Sequence, residues 1–311
     1  MNKYIVCTTI NPPTEALIAF DKMEDWTLII VADLSTSAEA YKSACPNSVF
    51  LGCDEQAGLY PELSEMLGWR TVDRRNLGFL YAYEQGADVV AMVDDDNIPL
   101  PEWGEVRIGK LTAVQFFNNG TLWFDPLAPL HYKYWHRGFP IHSVPYRHVD
   151  ISSVVKDTFD IQANLWLTDP DIDAICRLQS FASVYDWRPV ILSYYAANKP
   201  SPFNMQNTMI SRRAMPLCPS IPETGRMCDI WGAYYCQVKG KFKVMYGPAT
   251  VNHVQERTMD SVVDDMREEI IGYQHSDLLS RMVLEGADKA LQSVLSTRSF
   301  EFVQAYQESF K

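Results

Sequence analysis

Asp88-Val89-Val90-Ala91-Met92-Val93-Asp94-Asp95-Asp96-Asn97-Ile98-Pro99 is the stretch from which the rest of the chain can be read. Its apolar run is too short for a stable helix and is rich in β-branched residues, the pattern of a buried strand in a parallel sheet. It ends in three consecutive carboxylates, whose like charges need a partner. Ligands of open α/β sheets bind beyond the carboxyl ends of the strands, where Asp94, Asp95 and Asp96 fall if the run is a strand. Carboxylate oxygens are hard ligands that suit Mg²⁺ or Mn²⁺ shared with substrate phosphates. The competing reading is a solvated turn, since Asp and Asn favour turns and Pro99 stops a strand. A helix-loop-helix calcium site fits worse: with Asp94 first, Ile98 stands at the fifth ligand position and Pro99 where the sharp turn needs glycine.

The chain has 311 residues, 47% of them hydrophobic, enough for the core of one large α/β domain or of one and a half domains. No apolar run approaches the ~20 residues of a membrane span. Met1-Asn2-Lys3-Tyr4-Ile5-Val6-Cys7 passes straight into a strand pattern without the features of a signal peptide, so a cytoplasmic location is expected. The seven cysteines are scattered and form no C-x-x-C pair, which favours reduced thiols over a disulfide frame or a zinc knuckle. A net charge of −12 argues against a nucleic-acid partner.

Tyr4 to Thr9 reads as a first strand, followed by a Pro-rich turn and a helix to Phe20, the opening of a βα unit. Trp26 to Ala32 is a second buried strand, stopping at Asp33, and Ser48 to Leu51 a third. Helices are expected at Pro61 to Leu67 and Val72 to Gln85, the latter leading into the acidic strand. Its Gly78 costs about 1 kcal/mol relative to Ala inside a helix, so something approaches closely: a neighbouring strand, or an anionic ligand beside Arg74 and Arg75. From Glu102 to about Asp160 the pattern becomes aromatic and rich in Pro and His, with a hairpin expected at Asn118-Asn119-Gly120. His131, His136, His142 and His148 match no zinc spacing. Regular structure resumes with strands at Val190 to Tyr194 and Gln206 to Ser211, a helix from Cys228 to Val238 and a strand at Phe242 to Tyr246. After Arg257 the chain reads as helical, from Met259 to Glu285 with an interruption near Gly272 and from Gly286 onward. This tail suggests packing or homo-oligomerisation.

Leu63-Ser-Glu-Met-Leu-Gly-Trp69, Arg74-Arg-Asn-Leu-Gly-Phe-Leu-Tyr-Ala-Tyr83, Val93-Asp-Asp-Asp-Asn-Ile-Pro99, Arg137-Gly-Phe-Pro140, Asn204-Met-Gln-Asn207 and Cys228-Asp-Ile-Trp231 occur in this order. Together they resemble the STELLO-type glycosyltransferases. A more distant similarity is to the plant reversibly glycosylated polypeptides, the UDP-arabinopyranose mutases of glycosyltransferase family 75. The resemblance covers residues 1–257 and implies a GT-A fold, an α/β class with a Rossmann-like central sheet. Residues 1–100 would be its nucleotide-binding half and 101–257 its acceptor and donor-sugar half, followed by a helical C-terminal extension, 258–311. It also implies that Asp94 and Asp96 are the D-x-D carboxylates that hold Mn²⁺ or Mg²⁺, with Asp95 turned toward the donor and His253 in Val251-Asn-His-Val-Gln255 as a third ligand. Arg137 in Trp135-His-Arg-Gly-Phe-Pro140 matches the arginine associated with reversible glycosylation in the mutases, although Arg147 is off register with their following arginine. On chemistry alone Arg137 is a clamp for a diphosphate.

Sugar transfer from a nucleoside diphosphate needs charge stabilisation on the leaving group and a carboxylate near the reacting centre. Asp229, at the expected start of a helix, is the carboxylate for that role, as general base or as a hydrogen-bond partner of the sugar; the alternative is a helix N-cap. Trp231 and Trp135 are either sugar-stacking or core residues. Thr8, Thr9 and Asn11 after the first strand, Asp33 after the second, and Arg74 or Arg75 are the nucleotide contacts. The expected partners are a nucleotide sugar, most simply a UDP-sugar, and an acceptor that is a glycan, a small molecule or a protein. A UDP-sugar mutase and a catalytically silent assembly protein are the competing functions.

Overall fold

The computed structural model describes residues 1–131, 133–180, 183–184, 187 and 193–311. The first four strands are β1 (Lys3–Thr9), β2 (Thr27–Ala32), β3 (Val49–Leu51) and β4 (Val89–Val93), and they run parallel in the order β3-β2-β1-β4. The chain thus builds outward from β1 and then returns to its other side. At such a reversal the connections leave in opposite directions and open a crevice at the carboxyl ends of the two strands. Here those strands are β1 and β4, and the acidic tip Asp94-Asp95-Asp96 lies at the crevice.

The sheet continues with β5 (Asn97–Pro99), β6 (Thr112–Asn119), β7 (Val149–Asp157), β8 (Ile161–Thr168), β9 (Tyr195–Ala197), β10 (Asn207–Ser211) and β11 (Val244–His253). The full order is β3-β2-β1-β4-β10-β8-β11-β9-β6-β7, with β5 pairing β11 beside that path. Beyond β4, the β4/β10, β10/β8, β11/β9 and β6/β7 pairs are antiparallel, whereas β8/β11 and β9/β6 are parallel. Among the described residues this is an α/β protein on one large mixed sheet. All five residues of β4 are buried, because a parallel neighbour on one edge and an antiparallel one on the other put it in the middle.

Several elements depart from expectation. No tight hairpin forms at Asn118-Asn119-Gly120: β6 runs through Asn119, and its antiparallel partner β7 arrives only at Val149. β8 escaped notice because its interior carries Gln162 and Asn164, both buried, which disguise the apolar period. Gln162 is satisfied by the Arg107 N–H and the Glu105 carbonyl, and the Asn164 amide donates to Thr250 Oγ1. β11 is longer than the expected Phe242 to Tyr246 strand and passes through register shifts around Pro248 before ending on His253. The expected strand at Val190 to Tyr194 lies mostly outside the described residues. The four clustered histidines take separate places: His131 stacks on Tyr134, His136 is buried near Trp166, His142 meets Trp123 edge-on, and His148 is exposed.

The C-terminal helices (Met259–Gln274, Leu278–Glu285, Ala287–Gln292, Thr297–Glu308) share the main hydrophobic core. Phe302, Tyr306, Leu279 and Met282 are buried in it, and the Tyr306 hydroxyl donates to the Met215 carbonyl. The break in this region falls at residues 275–277. Gly272 lies within the first helix and lets it approach Met227, whose Sδ would be 2.7 Å from an added Cβ. No described helix is long and apolar enough to cross a membrane.

Gly78 has the same logic in the helix Arg75–Glu84. An added Cβ would stand 2.5 Å from Val6 Cγ1 on β1 and 2.7 Å from Val31 Cγ2 on β2. The neighbouring strands, not a ligand, demand the glycine. Gly78→Ala is therefore expected to lower unfolding free energy by roughly 1–2 kcal/mol in urea denaturation, overpacking outweighing the gain in helix propensity. An unchanged or raised midpoint would contradict this packing.

Candidate active site

A cleft of about 660 Å³ opens at the carboxyl ends of β1, β2 and β4, a size typical of small-molecule sites. Its walls include Thr8, Thr9, Asn11, Asp33, Arg74, Arg75, Asp94, Asp95, Asp96, Arg137, Asp229 and His253. Residues from both halves of the chain therefore meet around one space, although their side chains serve different ends.

At the tips of the first strands, Asp33 is buried at the end of β2 and accepts from the backbone N–H groups of Leu34 (2.6 Å) and Arg70 (2.7 Å). It fastens the Arg70 backbone, whose φ of 60° is left-handed. Arg74 does not face the cleft as a free cation. Its guanidinium donates to Gln56 Oε1, the Gly68 carbonyl and Ser64 Oγ and lies over the Trp69 ring, while burial pushes its pKa down to about 10. Arg75 donates to Asp94 Oδ1 at 2.9 Å and to the Met205 carbonyl at 2.7 Å. Burial opposes its charge, but its acidic surroundings, Asp94 foremost, hold its pKa above the ordinary value.

The acidic tip is a turn, closed by the Asn97 N–H on the Asp94 carbonyl. Its three carboxylates point to three partners: Asp94 to Arg75, Asp95 to Thr9 Oγ1 and Asn11 Nδ2, and Asp96 to His253. His253 Nδ1 lies 2.7 Å from the Asp169 carbonyl. A carbonyl can only accept, so Nδ1 carries the hydrogen and Nε2 faces Asp96 Oδ2 at 3.2 Å. A nitrogen lone pair and a carboxylate oxygen this close repel unless a proton or a cation lies between them. Two ligands about 2.1 Å from one ion and roughly 90–100° apart are themselves about 3.0–3.2 Å apart. Among the described residues no three His, Cys, Asp or Glu side chains form a ready-made metal cage. The pair fits the sparse protein ligation of ions that also bind substrate phosphates. Burial works against a charge on His253, yet Asp96 raises its pKa above the usual imidazole value.

Opposite the tip stands a buried ionic sandwich. Arg137 donates Nε and one terminal nitrogen to Asp171 (2.8 Å each) and both terminal nitrogens to Asp229 (2.8 and 2.9 Å). One of those nitrogens also meets the Arg226 carbonyl. The expected role of Arg137 as a diphosphate clamp is therefore corrected: its donors are committed to two aspartates. Asp229 accepts besides from the N–H groups of Ile230 and Met205. It does not cap the helix Cys228–Gly240, whose N-cap is Met227. Burial alone would raise its pKa, but Arg137 holds the carboxyl below the usual range. A carboxylate so stabilised is a poor proton acceptor, which counts against Asp229 as general base. Trp135 and Trp231 are buried core residues.

Asp171, Arg226 and Arg257 line the same cleft and escaped sequence reading. Arg226 joins Asp171 (3.5 Å), Asp265 (3.1 Å) and Glu269 (3.0 Å). Arg257 joins Asp265 (2.6 Å) and Asp169 (2.9 Å). The available signal was Thr168-Asp169-Pro170-Asp171-Ile172-Asp173, a second strand ending in carboxylates, missed together with β8. Arg70 also lines the cleft, and its side chain makes no hydrogen bond or ion pair with the described residues.

No family model matches this chain. Over 93 residues it is 28% identical to the probable glycosyltransferase STELLO1 of Arabidopsis thaliana, a stretch that is 30% of this chain and 12% of that protein. The chain thus matches only a small part of that relative's length. A crystal structure of a mycobacterial protein superposes with a TM-score of 0.45 at 11% identity, covering 88% of this chain and 74% of that one.

Removing Arg137 strands two buried carboxylates, so Arg137→Ala is expected to cost about 3–5 kcal/mol. The sign with pH distinguishes this from simple loss of packing. The folded-state pKa values of Asp171 and Asp229 are depressed by Arg137, so their stabilisation is present above the unfolded value near 4 and is lost as pH falls below it. In Arg137→Ala the uncompensated carboxyls titrate above that value, so the deficit should shrink between about pH 7 and about pH 5. Chemical denaturation at both pH values measures it, and a pH-independent deficit would contradict the sandwich.

Proposed function

We propose that this protein is a metal-dependent glycosyltransferase of GT-A type that takes a sugar from a nucleotide sugar, a UDP-sugar in the simplest case. One observation carries the reading: a cleft at the reversal of strand order has an acidic tip whose Asp96 faces Nε2 of an oriented histidine. The partial similarity to a probable glycosyltransferase points the same way. Asp96 and His253 would hold Mn²⁺ or Mg²⁺, with Asp94 offering the oxygen that Arg75 leaves unpaired. When bound, the ion supplies Lewis-acid stabilisation of the leaving diphosphate.

The chain's own residues do the rest. Thr8, Thr9 and Asn11 present hydroxyl and amide groups to the nucleoside, and Asp95 keeps Thr9 and Asn11 in place. Arg70, held through its backbone by Asp33, brings an uncommitted guanidinium to the nucleotide side. The Asp171–Arg137–Asp229 sandwich forms the opposite wall and fixes the polarity of the region where the sugar would lie. The mutase reading is less favoured, because Arg147 is paired with buried Asp125 away from the cleft.

The activity test incubates purified protein with Mn²⁺ and a panel of UDP- and GDP-sugars and resolves the products by chromatography. Nucleoside diphosphate release is the expected result, whereas a shifted nucleotide-sugar peak without release would favour the mutase. For the site itself, Asp96→Asn and His253→Ala are each expected to weaken UDP binding in Mn²⁺ by roughly 10–100-fold, read by calorimetry. Equal affinity in the variants, or no effect of EDTA on the wild type, would overturn the metal assignment.

A further inference from the structure

We propose that Glu268, on the first C-terminal helix, is the proton acceptor of the transfer reaction, the role that the Arg137 sandwich denies to Asp229. The inference rests on the glycosyltransferase reading of the cleft. Every other carboxylate in the cleft wall is held. Asp33 accepts two backbone N–H groups, Asp94 pairs with Arg75, Asp95 with Thr9 and Asn11, and Asp96 with His253, while Asp171 and Asp229 enclose Arg137. Glu268 lines the same cleft, is exposed, and makes no hydrogen bond or ion pair with the described residues. It alone among these carboxylates keeps both oxygens open to an incoming hydroxyl.

The helix that carries Glu268 is fixed on both sides of it. Three residues earlier Asp265 is gripped by Arg226 and Arg257, and one residue later Glu269, fully buried, takes Arg226 Nε at 3.0 Å and the Ala174 N–H at 2.9 Å. Two glycines allow so close an approach. A Cβ on Gly225, whose φ is 55°, would stand 2.6 Å from the Glu268 carbonyl, and one on Gly272 would meet Met227. A side chain on a locked helix is positioned more accurately than one on a loop, as proton transfer requires.

In the step this assigns, the acceptor oxygen forms a bond to the anomeric carbon and its proton passes to the Glu268 carboxylate. The bond from that carbon to the diphosphate oxygen breaks, and its electron pair leaves with the nucleoside diphosphate.

The test follows release of nucleoside diphosphate from the donor in Mn²⁺, with water as acceptor, together with calorimetric binding of UDP. Glu268→Gln and Glu268→Ala are expected to bind UDP like the wild type and to lose roughly 10²–10⁴-fold in release rate. Added formate should restore part of the rate to Glu268→Ala. Wild-type rates in both variants, or a loss that formate does not rescue, would overturn Glu268 while leaving the glycosyltransferase reading standing. A wild type that neither binds UDP nor releases it from any donor would overturn both.

Discussion

A single hydrogen bond, from His253 Nδ1 to the backbone carbonyl of Asp169, decides what the acidic tip can do. It fixes the tautomer and leaves Nε2 facing Asp96. The bond is only as firm as Asp169, whose own carboxylate is bound by Arg177 and Arg257. From there an unbroken alternation of charge runs through Arg257, Asp265, Arg226, Asp171 and Arg137 to Asp229. Buried ion pairs of this kind contribute little net stability, because desolvation offsets the attraction, but breaking one leaves a stranded charge. The ladder therefore specifies the shape and charge of the cleft wall more than it stabilises the fold.

That ladder draws the C-terminal helices into the site. The last of the motifs that carry the expected resemblance ends at Trp231, yet Asp265 and Glu269, well beyond it, pair with Arg226 and Arg257 at the cleft. The same helices fill the main core, with Tyr306 fastened to Met215 and Arg298 donating to the carbonyls of Glu65 and Met66. Losing them would expose apolar surface and leave Arg226 with Asp171 alone and Arg257 with Asp169 alone as counter-charges. The limits of a resemblance and the limits of a folded unit are set by different things, the first by shared motifs and the second by buried surface.

Much of the sheet was legible because its strands are plain apolar runs. β4 is buried throughout and β2 at all but its first residue, and a strand with both faces covered has little polar content to confuse the pattern. The tip of β4 announced itself through charge alone. β8 did not, since Gln162 and Asn164 make buried hydrogen bonds that only the tertiary structure supplies. With β8 went Asp171, and with Asp171 the reason that Arg137 and Asp229 cannot act independently. Sequence marks which residues carry chemistry, but whether an arginine is free or spent depends on its partners, here drawn from 34 and 92 positions away.

The central claim is that a divalent cation joins Asp96, His253 and the phosphates of a nucleotide. Pulsed electron paramagnetic resonance on the wild-type protein with Mn²⁺ and UDP addresses it directly. The account predicts imidazole ¹⁴N couplings that vanish in His253→Ala, together with ³¹P couplings from the diphosphate, on the same manganese ion. A spectrum of fully hydrated manganese, or ³¹P couplings with no trace of nitrogen in the wild type, would contradict it.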